Sequence, residues 1–128
     1  PDHAGAWVNL GAALARLGQT QEAINSLGTG LKLNPGHAVT HNNLANLLSL
    51  TKERAAEAEL HYREAIRLKP EIIPFRINYA SFLTHSGRID EAIEQYNEIL
   101  RLDPKNPEAQ RSLLRISGLD FQQQPQDS

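Results

Sequence analysis

The sequence predicts an all-α fold of about seven helices paired into hairpins, and three observations carry that prediction. A proline motif returns at a fixed interval: "LKLNPGHA", "IRLKPEII" and "LRLDPKNP" place Pro35, Pro70 and Pro104 at spacings of 35 and 34 residues. Alanines that open a helical pattern, Ala23, Ala58 and Ala92, keep the same spacings of 35 and 34. Within each unit the apolar residues recur at three and four, as in Trp7, Leu10, Leu14 and Leu17, then Ile24, Leu27 and Leu31. That is the period of two amphipathic helices per unit, and units of this length bury their apolar faces by stacking on one another.

Each element follows from its local residues. The first helix, near 4–17, ends at Gly18 in "RLGQT", a residue free to take the left-handed cap conformation. The second, near 21–34, stops before Pro35 and contains Gly28 and Gly30, each costing about 1 kcal/mol against Ala in a helix. The N-terminal hairpin is therefore expected to be the softest. The third, near 38–51, carries "HNNLANLLSL", whose leucine spacing demands a helix although Asn42, Asn43 and Asn46 are poor helix formers. Its turn, "LTKERAA", lacks a glycine and has one extra residue, so a looser turn is expected near Lys52 to Arg54.

The fourth helix lies near 56–69. The fifth, near 73–86, tolerates Pro74 because first-turn amides have no helical partner, and it ends at Gly87 in "HSGRI". The sixth, near 90–103, begins with Asp90 and Glu91, where negative charge favours the helix dipole. The seventh, near 107–117, has Asn106 to cap it and Pro107 at its first position, and is expected to stop at Gly118. Residues 119–128, "LDFQQQPQDS", read as a disordered polar tail.

These residues resemble the tetratricopeptide repeat family over essentially 4–117. The first unit matches at Trp7, Leu10, Gly11, Leu14, Gly18, Ala23, Leu27 and Pro35, with Gly30 where that family usually has alanine. Small residues stand in two columns, Gly11, Ala45 and Ala80, then Ala23, Ala58 and Ala92, where two helices can approach only if neither carries bulk. Departures are the missing turn glycine, Ile99 at the position of Ala65, and Pro74. The resemblance implies a right-handed helical-hairpin solenoid: a domain over 1–118 with repeats at about 4–37, 38–72 and 73–106, and a capping helix at 107–117.

Bulk properties set the function classes aside. Thirteen basic against fifteen acidic residues give a formal charge of -2 with no long single-sign run, so a nucleic-acid partner and a charged membrane surface are not expected. No apolar run reaches the length of a membrane span. With no cysteine there is no disulfide or thiolate chemistry, and the redox compartment cannot be read; a soluble, cytoplasmic segment is expected. The chain opens at Pro1 and has no methionine, which suggests a fragment of a larger protein.

The resemblance also implies that the first helix of each repeat lines a concave groove. Its face would hold Val8, Asn9, Ala12 and Arg16, then Asn42, Asn43, Asn46 and Ser49, then Ile77, Asn78, Ser81 and His85, with Arg111 and Arg115 from the last helix. Asn9, Asn43 and Asn78 form a column spaced by 34 and 35, one carboxamide per repeat. A carboxamide donates and accepts, so it can pair with a peptide group whatever the side chain. Similar columns occur in the superhelices of O-GlcNAc transferase and of peroxisomal targeting-signal receptors. The competing view is that these asparagines bridge helices or face water.

The groove that clamps chaperone C-terminal carboxylates shares these Asn positions but needs basic residues four earlier, where this chain has Gly5, Val39 and Pro74. A carboxylate could then be met only by Arg16, Arg111 or Arg115. The expected partner is an extended peptide; a substrate-recruiting segment of a larger enzyme such as a glycosyltransferase, or weak self-association through the stack, are the alternatives. No cofactor, metal or catalytic site is expected. His37 and His41 stand four apart but lack the glutamate of the metalloprotease motif and a third ligand, and no phosphate loop or nucleophile elbow is present.

Overall fold

The computed structural model describes residues 3–123. In them the amphipathic periods become α1 (Ala4–Arg16), α2 (Thr20–Leu33), α3 (Ala38–Leu48), α4 (Ala55–Leu68), α5 (Ile73–His85), α6 (Ile89–Leu102) and α7 (Pro107–Gln123). Gly18 and Gly87 adopt φ of 80° and 78°. After α1, Gly18 N–H donates to the Ala15 carbonyl and Gln19 N–H to that of Leu14; after α5, Gly87 and Arg88 repeat the pattern on Thr84 and Leu83. This paired closure satisfies two orphan carbonyls at each helix end. The second hairpin has no such glycine, and a 3-10 turn over Lys52–Arg54 makes the connection instead.

Asn106 caps α7, its Oδ1 accepting the Ala109 N–H at 2.9 Å. The far end of that helix departs from expectation. Gly118 does not take a left-handed conformation, and α7 continues to Gln123. One glycine costs about 1 kcal/mol, which need not end a helix, and the next proline is Pro125. Residues 119–123 of the expected tail are thus helical, and the rest of that tail lies outside the described residues.

The chain divides into two compact units, residues 1–75 and 76–128. In the first, α1 packs on α2, α2 on α3 and α3 on α4. Ala23, Ala45, Ala58 and Ala65 are fully buried between these helices, with Leu27 and Leu48 almost so. The closest approach is at Gly11, where a Cβ would lie 2.7 Å from Leu27 Cδ2. Ala38, Ala65 and Phe75 form a further cluster with Ile66, Leu68 and Ile72. In the second unit α6 packs on α7, and Ala80, Leu83, Ala92, Ile99 and Ala109 are buried. Ile99, the departure from the alanine column, is fully buried.

Candidate functional site

Packing of α1 beside α3 leaves a cleft of about 230 Å³ in the first unit. Gly11, Ala12, Ala15, Leu27 and Leu47 give it apolar walls, and Asn43 and Asn46 supply its polar groups. No charged side chain lines it. The small residues that let the helices approach also create the hollow, since alanine and glycine leave room that a larger side chain would fill.

Three of the expected groove residues, Ala12, Asn43 and Asn46, therefore meet at one cleft. Asn46 is also tied to its own hairpin: the Tyr62 hydroxyl on α4 donates to Asn46 Oδ1 at 2.6 Å. With its oxygen engaged, the carboxamide keeps its N–H donors for another group. Ser49 Oγ donates to the Asn46 backbone carbonyl at 2.7 Å, closing the end of α3. Burial pushes the Tyr62 phenol pKa up, opposed by its hydrogen bond with Ser49.

The other expected residues are placed separately. Asn9 and Arg16 are exposed on α1. Val8 leans on α2, where a Cβ at Gly30 would come within 3.2 Å of its Cγ2. Asn42, in the same column as Val8, is buried at 6% exposure, so it does not simply meet water. The face turned to the cleft is thus Ala12 and Ala15 rather than Val8. In the second unit Asn78 and Ser81 are half-buried, and exposed His85 has Nδ1 2.8 Å from the Ser81 carbonyl. Arg111 pairs with Glu108 at 2.9 Å, and Arg115 is exposed.

A histidine pair went unread in the sequence. His41 Nδ1 lies 2.9 Å from His61 Nδ1, and His41 Nε2 lies 2.8 Å from the Pro35 carbonyl oxygen. A carbonyl only accepts, so His41 Nε2 carries the proton; its Nδ1 then accepts from His61 Nδ1–H while His41 is neutral. His61 has its pKa lowered, first by burial and then by His41, against the opposing pull of Glu57 and Glu64. His37, the other imidazole weighed for a metal, has Nδ1 2.5 Å from Thr40 Oγ1. The repeat spacing held the signal for the pair. Positions 35 after His41 and 34 after His61 are Arg76 and Gln95, which are also bonded, Nη1 to Oε1 at 3.1 Å.

No helix among the described residues is long and apolar enough to cross a membrane.

Comparison with known proteins gives the fold a context. Sequence profiles described as "Tetratricopeptide repeat" match residues 49–116 and residues 4–37. Human "Protein O-mannosyl-transferase TMTC3" is 30% identical over 120 residues, which span 83% of this chain but 13% of that protein's length. The structure "First TPR of Spaghetti (RPAP3) bound to HSP90 peptide SRMEEVD" superposes with a TM-score of 0.81 at 24% identity, covering 91% of each chain. The second TPR domain of human RPAP3, "in complex with HSP70 peptide SGPTIEEVD", gives a TM-score of 0.79 at 23% identity, over 90% of this chain and 95% of that one. At these identities the likeness is one of fold, a solenoid of helical hairpins.

Proposed function

This chain belongs to the tetratricopeptide repeat family, and from that premise we propose that it is a protein-interaction module receiving an extended segment of a partner polypeptide. The observation that carries the reading is the uncharged cleft between α1 and α3, with apolar walls and the carboxamides of Asn43 and Asn46. A side chain of the guest enters the hollow while its peptide groups meet the amides. Asn9 in the first unit, and separately Asn78 in the second, each offer a further carboxamide for a peptide group. Arg16 in the first unit, and Ser81, His85, Arg111 and Arg115 in the second, are the other side chains proposed to meet a guest. The two RPAP3 domains hold an HSP90 peptide and an HSP70 peptide, which supports a peptide as guest. Gly5, Val39 and Pro74 replace the basic clamp, which favours an internal segment over an acidic C-terminus.

The test is peptide-library binding before and after Asn9→Ala, Asn43→Ala and Asn78→Ala. A hydrogen bond contributes about 1 kcal/mol net, so each loss should weaken binding roughly fivefold. Unchanged affinity for every ligand removes the carboxamide column from the account. A second reading is favoured by the O-mannosyl-transferase relative: the chain recruits substrate for a glycosyltransferase carried by the same polypeptide. A full-length transcript without a transferase domain would end that reading and leave the first intact.

A further inference from the structure

The second helix of each hairpin repeats one ion pair, and the first hairpin lacks half of it. Thr29, Glu64 and Glu98 share one column, and Lys32, Arg67 and Arg101 share another, three residues on. In the later repeats the two columns bond: Arg67 Nε donates to Glu64 Oε2 at 3.0 Å, and Arg101 Nε to Glu98 Oε1 at 2.8 Å. In α2 a threonine stands where the later repeats have the acid, and its Oγ1 donates to the Asn25 backbone carbonyl instead. Lys32 is exposed, and no carboxylate among the described residues pairs with it. A neighbouring column changes in the same hairpin, since Gly28 matches Arg63 and Asn97. The fold does not need that glycine: a Cβ there would meet nothing within 4 Å, whereas at Gly11 and Gly30 it would meet side chains at 2.7 and 3.2 Å.

Both replacements border one hollow of about 440 Å³ between α2 and the second hairpin, and none of the residues around it lines the α1–α3 cleft. Ile24 and Leu44 make part of it apolar. Its polar groups are short of acceptors. Arg54 holds both oxygens of Glu57 at 3.2 and 3.3 Å through Nε and Nη2, which leaves Nη1. Gln21 donates to Asn25 Oδ1 at 3.0 Å, so the Asn25 amide keeps its own N–H donors. With Glu57 offsetting Arg54, the charge left over is that of Lys32. We infer that the hollow binds a carboxylate from an acidic side chain of a partner polypeptide, in the place that Glu64 and Glu98 fill in the later repeats, with an aliphatic neighbour of that residue against Ile24 and Leu44. A charge-assisted hydrogen bond from Lys32 holds the carboxylate. One uncompensated cation matches its single charge rather than the charge of about two on a phosphate. The missing Cβ of Gly28 lets the partner's backbone come close to α2. This contact is separate from the guest in the α1–α3 cleft.

The test is binding of a library of end-capped peptides, each with one Glu or Asp beside Leu, Ile or Val, to the parent chain, Lys32→Gln and Thr29→Glu. Peptides held by the parent should lose roughly tenfold in affinity when their acid becomes the matching amide, and as much on Lys32→Gln. Thr29→Glu supplies the missing acid from within. It should release the same peptides while keeping or raising Tm, since an i,i+3 ion pair supports a helix. Asn43→Ala should leave their binding unchanged. Absence of acid-dependent binding to the parent would overturn the inference, as would acid-dependent binding that survives both Lys32→Gln and Thr29→Glu. Equal loss on Asn43→Ala would move the acid to the α1–α3 cleft and overturn it too. Tighter binding when phosphoserine replaces the acid would mark a phosphate site. A dimer in sedimentation that Thr29→Glu abolishes would put a second copy's acid in the hollow, and either of these results overturns the assignment.

Discussion

His41 and His61 face each other Nδ1 to Nδ1 across 2.9 Å, with ring centroids 5.1 Å apart, and so join α3 to α4 through a single shared proton. The bond survives with one imidazole charged, because a neutral partner still offers a lone pair. It cannot survive with both charged, since each Nδ1 would then carry a proton. The ring of His41 is held from its other side by the Pro35 carbonyl, so it cannot turn away without losing that bond as well.

Stability should therefore fall as the solution is acidified. The folded pKa of His61 is lowered from 6.5, by burial first and His41 second. Below about 6.5 the unfolded chain takes up the proton more readily than the folded one, so stability is fully present above that pH and declines as pH drops toward the folded value. Thermal unfolding between pH 7.5 and 5.5 should show a falling Tm. The double variant His41→Arg with His61→Gln installs the pair that Arg76 and Gln95 form in the third repeat, and should flatten the profile. A variant as pH-dependent as the parent would show that the titration lies elsewhere.

Tyr62→Phe separates the structural from the recognition role of Asn46. It removes the hydroxyl bonded to Asn46 Oδ1 and to Ser49, and should cost about 1–2 kcal/mol in denaturant unfolding, since each hydrogen bond contributes about 1 kcal/mol net. Freed of that bond, the carboxamide can turn its oxygen toward a guest. Peptide selectivity at the adjoining cleft should then change more than overall stability does. A variant that unfolds at a lower denaturant concentration yet keeps the parent's selectivity would mark the Tyr62 bond as structural alone.

The helices were legible because their signals are local and repeated three times. Pro35, Pro70 and Pro104 fix the units, Gly18 and Gly87 fix the turns, and Asn106 fixes a cap, each by the local chemistry of one residue. The site was less legible, since a spacing of 34 or 35 aligns columns without fixing their rotation about the helix axis. Val8, expected toward the groove, turns to Gly30 instead, and Asn42, at the matching position of the next repeat, is buried. The His41–His61 and Tyr62–Asn46 bonds depend on side chains from two helices, and no single-helix pattern announces them. The end of α7 lies beyond Gly118 because a glycine stops a helix only when it takes the left-handed conformation itself, as Gly18 and Gly87 do and Gly118 does not.

Two glycines in the first hairpin should respond oppositely to alanine. At Gly28 a Cβ meets nothing within 4 Å, so Gly28→Ala should stabilise by up to about 1 kcal/mol through helix propensity alone. At Gly11 the same Cβ would stand 2.7 Å from both Cγ and Cδ2 of Leu27, a side chain 1% exposed and unable to retreat. Overpacking of this kind costs about 1–3 kcal/mol, enough to outweigh the propensity gain. Urea midpoints should move up for the first variant and down for the second, and a rise for Gly11→Ala would mean that Leu27 repacks freely.

Hydrogen exchange should rank the helices of the first unit by how many neighbours cover them. α2 lies against both α1 and α3, whereas α1 has its Trp7–Leu10 side open. Local opening is easiest where few apolar contacts are lost, so the amides of α1 should exchange first and those of α3 and α4 last, with α2 between because of Gly28 and Gly30. This refines the expectation of a soft N-terminal hairpin: the glycines weaken α2 from within, but the missing cover makes α1 the weaker partner. Extending the chain with an added hairpin should slow exchange most in α1, because Trp7 and Leu10 of that helix gain the most burial. Protection of α1 equal to that of α4 in the unextended chain would show that the open face costs the fold nothing.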